Sequence, residues 1–197
     1  MGVAGDHLIY AVLDGASQYL VRSTLDGEEI QRITDYGNRI SFTLSPDDRQ
    51  LAYAITDGDV GLAALGPLYV VELETMRTRE VSDSPVIAFF WSPDSQKLAY
   101  LSPERIAGTI RFRWHVWDGK QSVAYAPTFP TRTFLEGYLT FFDQYAQSMT
   151  IWAPDSSAFA YAGIDEEDRL GIWVQPLDPE KEAVWVARGV YAAWSPR

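Results

Sequence analysis

The chain has 197 residues, 47% of them hydrophobic, so it can bury the core of one ordinary domain, and a disordered chain is excluded. Its 16 basic and 27 acidic residues give a net charge of −11, which disfavours nucleic acid as a partner. The absence of cysteine excludes disulfides, thiolate metal sites and a cysteine nucleophile, and the absence of a long apolar run predicts a soluble chain without membrane insertion or a signal peptide.

A repeated pattern of the form [Trp/Leu]-[Ser/Ala]-Pro-Asp-x-x-x-[Leu/Phe]-Ala-Tyr organises the chain. It starts at Leu44, Trp91 and Trp152, and an incomplete copy starts at Trp194. An earlier segment, Leu8-Ile9-Tyr10, resembles the end of a copy that lacks its Pro-Asp. The tyrosines at 10, 53, 100 and 161 are 43, 47 and 61 residues apart, which is close to the period of propeller blades and indicates an insertion in the last interval.

Local chemistry indicates that each repeat consists of strands. Proline fixes φ and aspartate bonds its own backbone, so Ser-Pro-Asp favours a tight turn between two strands. We predict first strands at Ile40–Leu44, Val86–Trp91, Met149–Trp152 and Val190–Trp194, with the Leu-Ala-Tyr segments as second strands. Third strands are predicted at 19–22, 68–71, 112–117 and 171–174, and fourth strands near 30–33, 78–81, 122–124 and 183–186.

The repeat resembles the β-propeller repeat of TolB, the periplasmic component of the Tol-Pal system, and similar repeats occur in propellers of prolyl-oligopeptidase-type peptidases. The resemblance implies an all-β chain: a single β-propeller domain, 1–197, of about four four-stranded blades with one short helical insertion. The blades would cover about 1–38, 39–85, 86–147 and 148–189. The glycine that often follows Pro-Asp in such repeats is replaced here by Asp48, Ser95 and Ser156.

The phase of the repeats leaves two arrangements open. Residues 190–197 supply a lone first strand, and we predict that Val190–Trp194 pairs beside Leu8–Tyr10 and closes a four-bladed ring, since closure removes unpaired strand edges. The alternative is that the chain is part of a larger propeller, with the other blades in a further segment or a second copy.

The segment between Ala126 and Met149 lacks the strand pattern and is predicted to be helical. Thr133 and Glu136 have the spacing of a capping box, and apolar residues recur at helical intervals. Because aromatic anchors dominate the energetics of protein interfaces, we predict a partner-binding surface here. Its candidate residues are Phe129, Tyr138, Phe141, Phe142 and Tyr145. The competing interpretation is that this helix caps the ring with its apolar face inward.

The sequence contains no recognisable catalytic set. There is no Gly-x-Ser-x-Gly elbow, and His7 and His115 are too few for a three-histidine metal site. Asp47, Asp94 and Asp155 are explained by their turns. The acidic loops, Asp57 with Asp59 and the run from Asp165 to Asp168, lack the spacing of a calcium loop and are interpreted as solvated tips. We therefore expect no catalytic residue, no metal and no cofactor.

These observations lead to a hypothesis of a non-catalytic TolB-like propeller that acts as a scaffold for an unidentified protein partner, with homo-oligomerisation left open. Two alternatives remain: a propeller fragment of a peptidase or glycan-active enzyme, and a propeller that binds a carbohydrate or small ligand through its aromatic residues. The TolB resemblance favours the cell envelope, although the chain carries no signal peptide.

Overall fold

The computed structural model describes residues 2–4, 7–15, 17–56, 65–165, 167–178 and 180–194. It divides into two compact units, Met1–Pro85 and Val86–Arg197, which are described separately below. Nearly all of the regular secondary structure in the described residues is antiparallel strand, so the predicted all-β class is confirmed. No helix in the described ranges has the length and hydrophobicity that crossing a bilayer requires.

The first unit contains two four-stranded antiparallel meanders in which sequential strands are neighbours. Buried side chains of both meanders form one cluster that includes Ile9, Leu20, Leu51 and Tyr53. The first meander consists of β1 (Gly2–Ala4), β2 (His7–Asp14), β3 (Ser17–Thr24) and β4 (Glu29–Asp35), and the second of β5 (Arg39–Leu44), β6 (Gln50–Thr56), β7 (Leu68–Glu72) and β8 (Arg77–Ser82).

The second unit contains a third meander that continues into a fourth. Phe129 and Pro130, at the end of β12, pair with Ile164 and Gly163 of β13, so that seven strands form one continuous sheet. The strands are β9 (Ala88–Trp91), β10 (Leu98–Ile106), β11 (Thr109–Trp117), β12 (Ser122–Pro130), β13 (Ala158–Ile164), β14 (Leu170–Pro176) and β15 (Val184–Ala187).

The three Pro-Asp segments form turns with the same backbone geometry, as predicted. The N–H groups of Asp48, Ser95 and Ser156 each donate to the carbonyl three residues earlier at 2.9 Å. These three residues also share a φ of 59° or 60°, the left-handed conformation that glycine adopts most readily. In two turns the buried serine before proline donates to the aspartate carboxylate, Ser45 to Asp47 at 2.6 Å and Ser92 to Asp94 at 2.5 Å.

Two of the predicted first strands are not formed. Met149–Trp152 is reduced to a single bridge between Trp152 and Phe159, and residues 190–194 belong to no strand. The expected pairing of Val190–Trp194 beside Leu8–Tyr10 is wrong, because both edges of β2 are occupied within the first unit. β3 lies on one side, and β1 lies on the other with Ala4 opposite His7 and Gly2 opposite Ile9. A first strand therefore precedes β2 within the first meander itself.

Two of the tryptophans that begin repeats in the second unit, Trp152 and Trp194, bond to the preceding repeat. The Trp152 indole donates to the carbonyl of Phe90 at 2.9 Å, and the Trp194 indole donates to the carbonyl of Ile151 at 2.7 Å. Phe90 and Ile151 are equivalent, since each precedes the first residue of a repeat. Residues 190–194 are thus held to the fourth meander by the same kind of bond that holds the fourth meander to the third, although they lack strand pairing.

Candidate functional site

The helical insertion leaves the sheet at the end of β12. It consists of α1 (Arg132–Gly137), a 3-10 turn at Leu139–Phe141 and α2 (Phe142–Tyr145). The predicted capping box is wrong, because the cap is Thr131, whose hydroxyl accepts the N–H of Phe134 at 3.2 Å. Glu136 instead pairs with Arg132 at 2.8 Å on the helix surface.

Tyr138 and Phe142, two of the five predicted contact residues, lie in the core. They are 5% and 2% exposed, and both pack on Phe90, with ring centroids 5.7 Å away in each case. Burial raises the pKa of the Tyr138 hydroxyl, which donates a hydrogen bond to the carbonyl of Met149. These two side chains attach the insertion to β9, so they cannot contact a partner on the surface.

Phe141, Tyr145 and Met149 lie on the other side of the insertion and are 45%, 39% and 38% exposed. They follow one another at four-residue intervals, and the N–H of Met149 donates to the carbonyl of Tyr145 at 2.8 Å, as in a helical turn. Residues four apart on a helical backbone share a face. We call these three residues the exposed stripe. Sequence reasoning missed Met149, which it assigned to a strand, although the interval from Tyr145 would have identified it.

Phe129 is separate from the exposed stripe. It is 40% exposed at the end of β12, and its ring contacts Phe112 edge-on at 5.8 Å. In the ranges that the structure describes, no ring contact joins Phe129 to the residues of the stripe. The predicted group of five therefore divides into two core residues, two residues of one exposed face, and a third exposed residue on a neighbouring strand.

A cavity of about 310 Å³ lies between β12, β13, β14 and the loop that follows β14. Its buried lining includes Tyr125, Tyr161, Trp173 and Gln175, which are all less than 9% exposed. Burial raises the pKa of Tyr125 to about 12 and raises that of Tyr161 as well. Both phenols therefore remain protonated near neutral pH. The cavity was not predicted, because its lining residues come from separate repeats.

Charged side chains surround this cavity. Arg169 lies over the Trp173 ring, 5.2 Å from its centroid, and donates to the Asp165 carboxylate at 2.7 Å and to Glu167 at 3.1 Å. Burial acts to raise the pKa of Asp165, but hydrogen bonds from the backbone and side chain of Arg169 outweigh it and lower the pKa. The carboxylates of Asp165 and Glu167 in this acidic loop are thus paired with Arg169.

A serine and a histidine are in contact on β10 and β11. Ser102 Oγ lies 3.0 Å from Nε2 of His115, whose ring stacks on Tyr100 at 4.8 Å. Burial, and then the nearby charge of Arg113, lower the pKa of His115, so the imidazole is neutral near neutral pH. Ser102 is only 7% exposed, and the hydrogen bonds described for His115 include none to a carboxylate that could orient it. The contacts of His115 with Ser102 and Tyr100 therefore give it a structural role within the sheet.

Other candidates for chemistry are accounted for by their local structure. The carboxylates of Asp94 and Asp155 accept N–H groups of their own turns, from Gln96 at 3.0 Å and Ser157 at 3.1 Å. Asp57 and Asp59 lie outside the described residues. Among the residues that are described, no three acidic or histidine side chains are grouped so that they could hold a metal ion.

Comparison with known proteins finds similarity at the level of structure. No protein-family model matches the chain. No curated protein matches it either. TolB from Acinetobacter baumannii aligns with a TM-score of 0.50 and 10% identity over 93% of this chain and 41% of TolB. An oligogalacturonate lyase from Vibrio parahaemolyticus aligns at 0.55, with 13% identity over 87% of this chain and 43% of the lyase.

An acylaminoacyl peptidase from Pyrococcus horikoshii aligns with a TM-score of 0.52 and 13% identity over 92% of this chain and 30% of the peptidase. The chain thus spans less than half the length of each of these three proteins. Identities this low carry information about fold alone. Because the three proteins have propeller folds, they support a TolB-like propeller fold for this chain.

Proposed function

We propose that this chain is a non-catalytic, TolB-like propeller segment that binds a protein partner through the exposed stripe. The observation that carries the proposal is the division of the helical insertion into two apolar faces. One face contains Phe142 and is buried against the sheet. The other face contains Phe141, Tyr145 and Met149 and is exposed. Aromatic and methionine side chains are enriched at protein interfaces. A folded segment that presents three of them at helical spacing is suited to docking.

In this proposal the four meanders are consecutive blades of a propeller, and the Pro-Asp segments are TolB-type repeats. The equivalent turns and the equivalent bonds from Trp152 and Trp194 support this assignment. The presence of β1 beside β2, together with the coverage of less than half of TolB, favours a propeller of more than four blades over a four-bladed ring.

Charge indicates the kind of partner. The chain carries a net charge of −11, and Asp143 lies between Phe141 and Tyr145 in the sequence. Two copies of the chain would repel each other, whereas a basic surface would be attracted and steered towards it. We therefore expect a different protein, with an apolar groove for Phe141 and Tyr145 surrounded by lysine or arginine residues.

A non-catalytic role agrees with the side chains described above. The carboxylates of the repeats are bonded within their turns, and the contact between Ser102 and His115 is partly buried on the sheet, with no carboxylate described as bonded to the histidine. The lyase and peptidase among the structural neighbours keep the enzymatic alternative open to experiment. A screen of the purified protein for polysaccharide cleavage and peptide hydrolysis addresses it, and turnover abolished by Ser102→Ala would overturn the non-catalytic role.

A photo-crosslinking residue placed at Tyr145 in the native host tests the docking surface directly. We expect it to crosslink a basic protein, while the same residue placed at Val184, an exposed apolar position on β15, does not. Crosslinks only to a second copy of the chain, or equal yields from both positions, would contradict the proposal.

The purified partner then allows a quantitative test. Combined replacement of Phe141, Tyr145 and Met149 by serine should weaken binding at least tenfold, because truncated interface anchors typically cost more than 1 kcal/mol each. Binding should also weaken as salt is added, since the attraction between opposite charges is screened. The matched control replaces Val184 and Val186 by serine and should leave affinity unchanged. Phe129→Ser, measured separately, shows whether that residue belongs to the same surface.

The resemblance to TolB also suggests a location in the cell envelope. Fractionation of the native host, with the protein detected by antibody, tests this part of the proposal. Recovery with the cytoplasmic fraction would contradict it and leave the docking surface unaffected.

A further inference from the structure

We infer that the cavity between β12, β13 and β14 is a binding site for a neutral saccharide of one or two sugar rings. Its volume of about 310 Å³ lies at the lower end of the range of small-molecule sites. It belongs wholly to the second unit and does not involve the exposed stripe. The inference therefore stands independently of the proposed protein-binding function.

Unpartnered polar groups point to a ligand in this cavity. Tyr161 is 8% exposed, and its hydroxyl has no hydrogen-bond partner among the described residues. The side-chain amide nitrogen of Gln175, a residue only 3% exposed, donates to the carbonyls of Pro176 and Lys181, while its amide oxygen receives no bond from the described part of the chain. Neither atom is among the fully buried polar atoms that lack a partner, so both are open to the cavity, and a ligand that can donate and accept hydrogen bonds could replace the water that solvates them.

The apolar part of the lining is aromatic. Tyr125 and Trp173 are held in fixed positions, because the Tyr125 hydroxyl donates to the carbonyl of Leu177 at 3.1 Å and the Trp173 indole donates to that of Gly163 at 3.2 Å. Rigid aromatic side chains beside free hydrogen-bonding groups suit a sugar ring, which has apolar C–H faces and hydroxyl edges.

The charge of the site favours a neutral ligand. Arg169 is bonded to both Asp165 and Glu167, so the charges nearest Trp173 are largely compensated. The remaining charged lining residues are Glu180, Lys181 and Glu182, which leave an excess of acidic groups at the rim. This excess disfavours carboxylated sugars such as oligogalacturonate, and the ion-paired interior offers no unpaired carboxylate for a cation.

Isothermal titration calorimetry of the whole protein tests the inference. The probes are four neutral disaccharides (maltose, cellobiose, lactose and chitobiose), digalacturonate as an anionic control, and spermidine as a cationic control. We expect at least one neutral disaccharide to bind and both charged probes to fail at the same concentrations. Preferential binding of digalacturonate or spermidine, or no binding of any neutral sugar up to about 10 mM, would overturn the inference.

Two variants locate the site. Tyr161→Phe removes only the unpartnered hydroxyl and should weaken saccharide binding about three- to tenfold, the usual contribution of one hydrogen bond. Ala126→Phe adds bulk at an exposed lining position and should reduce binding at least tenfold. The matched control is Tyr145→Phe, which makes the same chemical change on the exposed stripe and should leave affinity unchanged. Binding that neither cavity variant alters would assign the sugar to another surface.

Discussion

The Pro-Asp turns and the helical insertion are stabilised in different ways. In the turns, backbone conformation is the same at Asp48, Ser95 and Ser156, even though none is glycine. In the insertion, the backbone alternates between short α and 3-10 segments, and its position is determined by buried side chains such as Phe142. Local hydrogen bonds therefore define the first region, and packing against the sheet defines the second.

Because packing determines the position of the insertion, a substitution on its buried face should lower the free energy of unfolding far more than one on its exposed face. Phe142→Ala should lower the free energy of unfolding by about 3–5 kcal/mol, because it empties a buried aromatic site. The Phe142 ring is 2% exposed and packs edge-on against Phe89 at 4.7 Å and Phe90 at 5.7 Å. Denaturant unfolding followed by tryptophan fluorescence measures the change.

The adjacent residue provides the control. Phe141→Ala makes the same substitution on the exposed stripe, where the expected change is within about 0.5 kcal/mol. Equal losses from the two variants would mean that the stripe is packed in solution, and the distinction between a buried and an exposed face would fail.

The strands were predictable because their signals are local. The Leu-Ala-Tyr segments and the β-rich runs that follow them identified the second, third and fourth strands of the repeats, and Pro-Asp identified the turns. The failures have a common cause. Met149–Trp152 contains the residues of a strand, but whether it pairs depends on the insertion that precedes it, and the position of Gly2–Ala4 beside β2 depends on a short segment with little pattern of its own.

The candidate site was predictable only in part. Helical spacing placed Phe134, Tyr138 and Phe142 together, but sequence alone does not determine which face of a helical segment meets the sheet. The structure shows which face meets the sheet, because the Phe90 ring of β9 packs on Tyr138 and Phe142. The cavity around Tyr161 and Gln175 was not predictable at all, since strand pairing brings its lining together across more than 50 residues of chain.

A smaller effect is expected where a turn joins the preceding repeat. Trp152→Phe removes the bond from the buried indole to the carbonyl of Phe90 and should lower the free energy of unfolding by about 1–3 kcal/mol. Trp194→Phe should have a smaller effect, because Trp194 is partly exposed whereas Trp152 is fully buried. A larger loss at Trp194 would show that residues 190–194 matter more for stability than the buried link does.

The smallest effect concerns the left-handed residue of the turns, and it is expected to be stabilising. For a residue other than glycine, this conformation costs about 1–2 kcal/mol, and the greater freedom of glycine in the unfolded chain offsets about 0.5–1 kcal/mol of the relief. Asp48→Gly should therefore raise the free energy of unfolding by about 0.5–1 kcal/mol, since no hydrogen bond of the Asp48 side chain is found among the described residues.

Ser156→Gly relieves the same strain but removes a hydroxyl that accepts the N–H of Asp94 at 3.1 Å. That loss, on the order of 0.5–1.5 kcal/mol, should cancel the gain or exceed it. Thermal unfolding of both variants under identical conditions measures the difference. If Ser156→Gly stabilises the protein as much as Asp48→Gly does, the bond between the two turns contributes nothing, and the turns are determined by their own backbones alone.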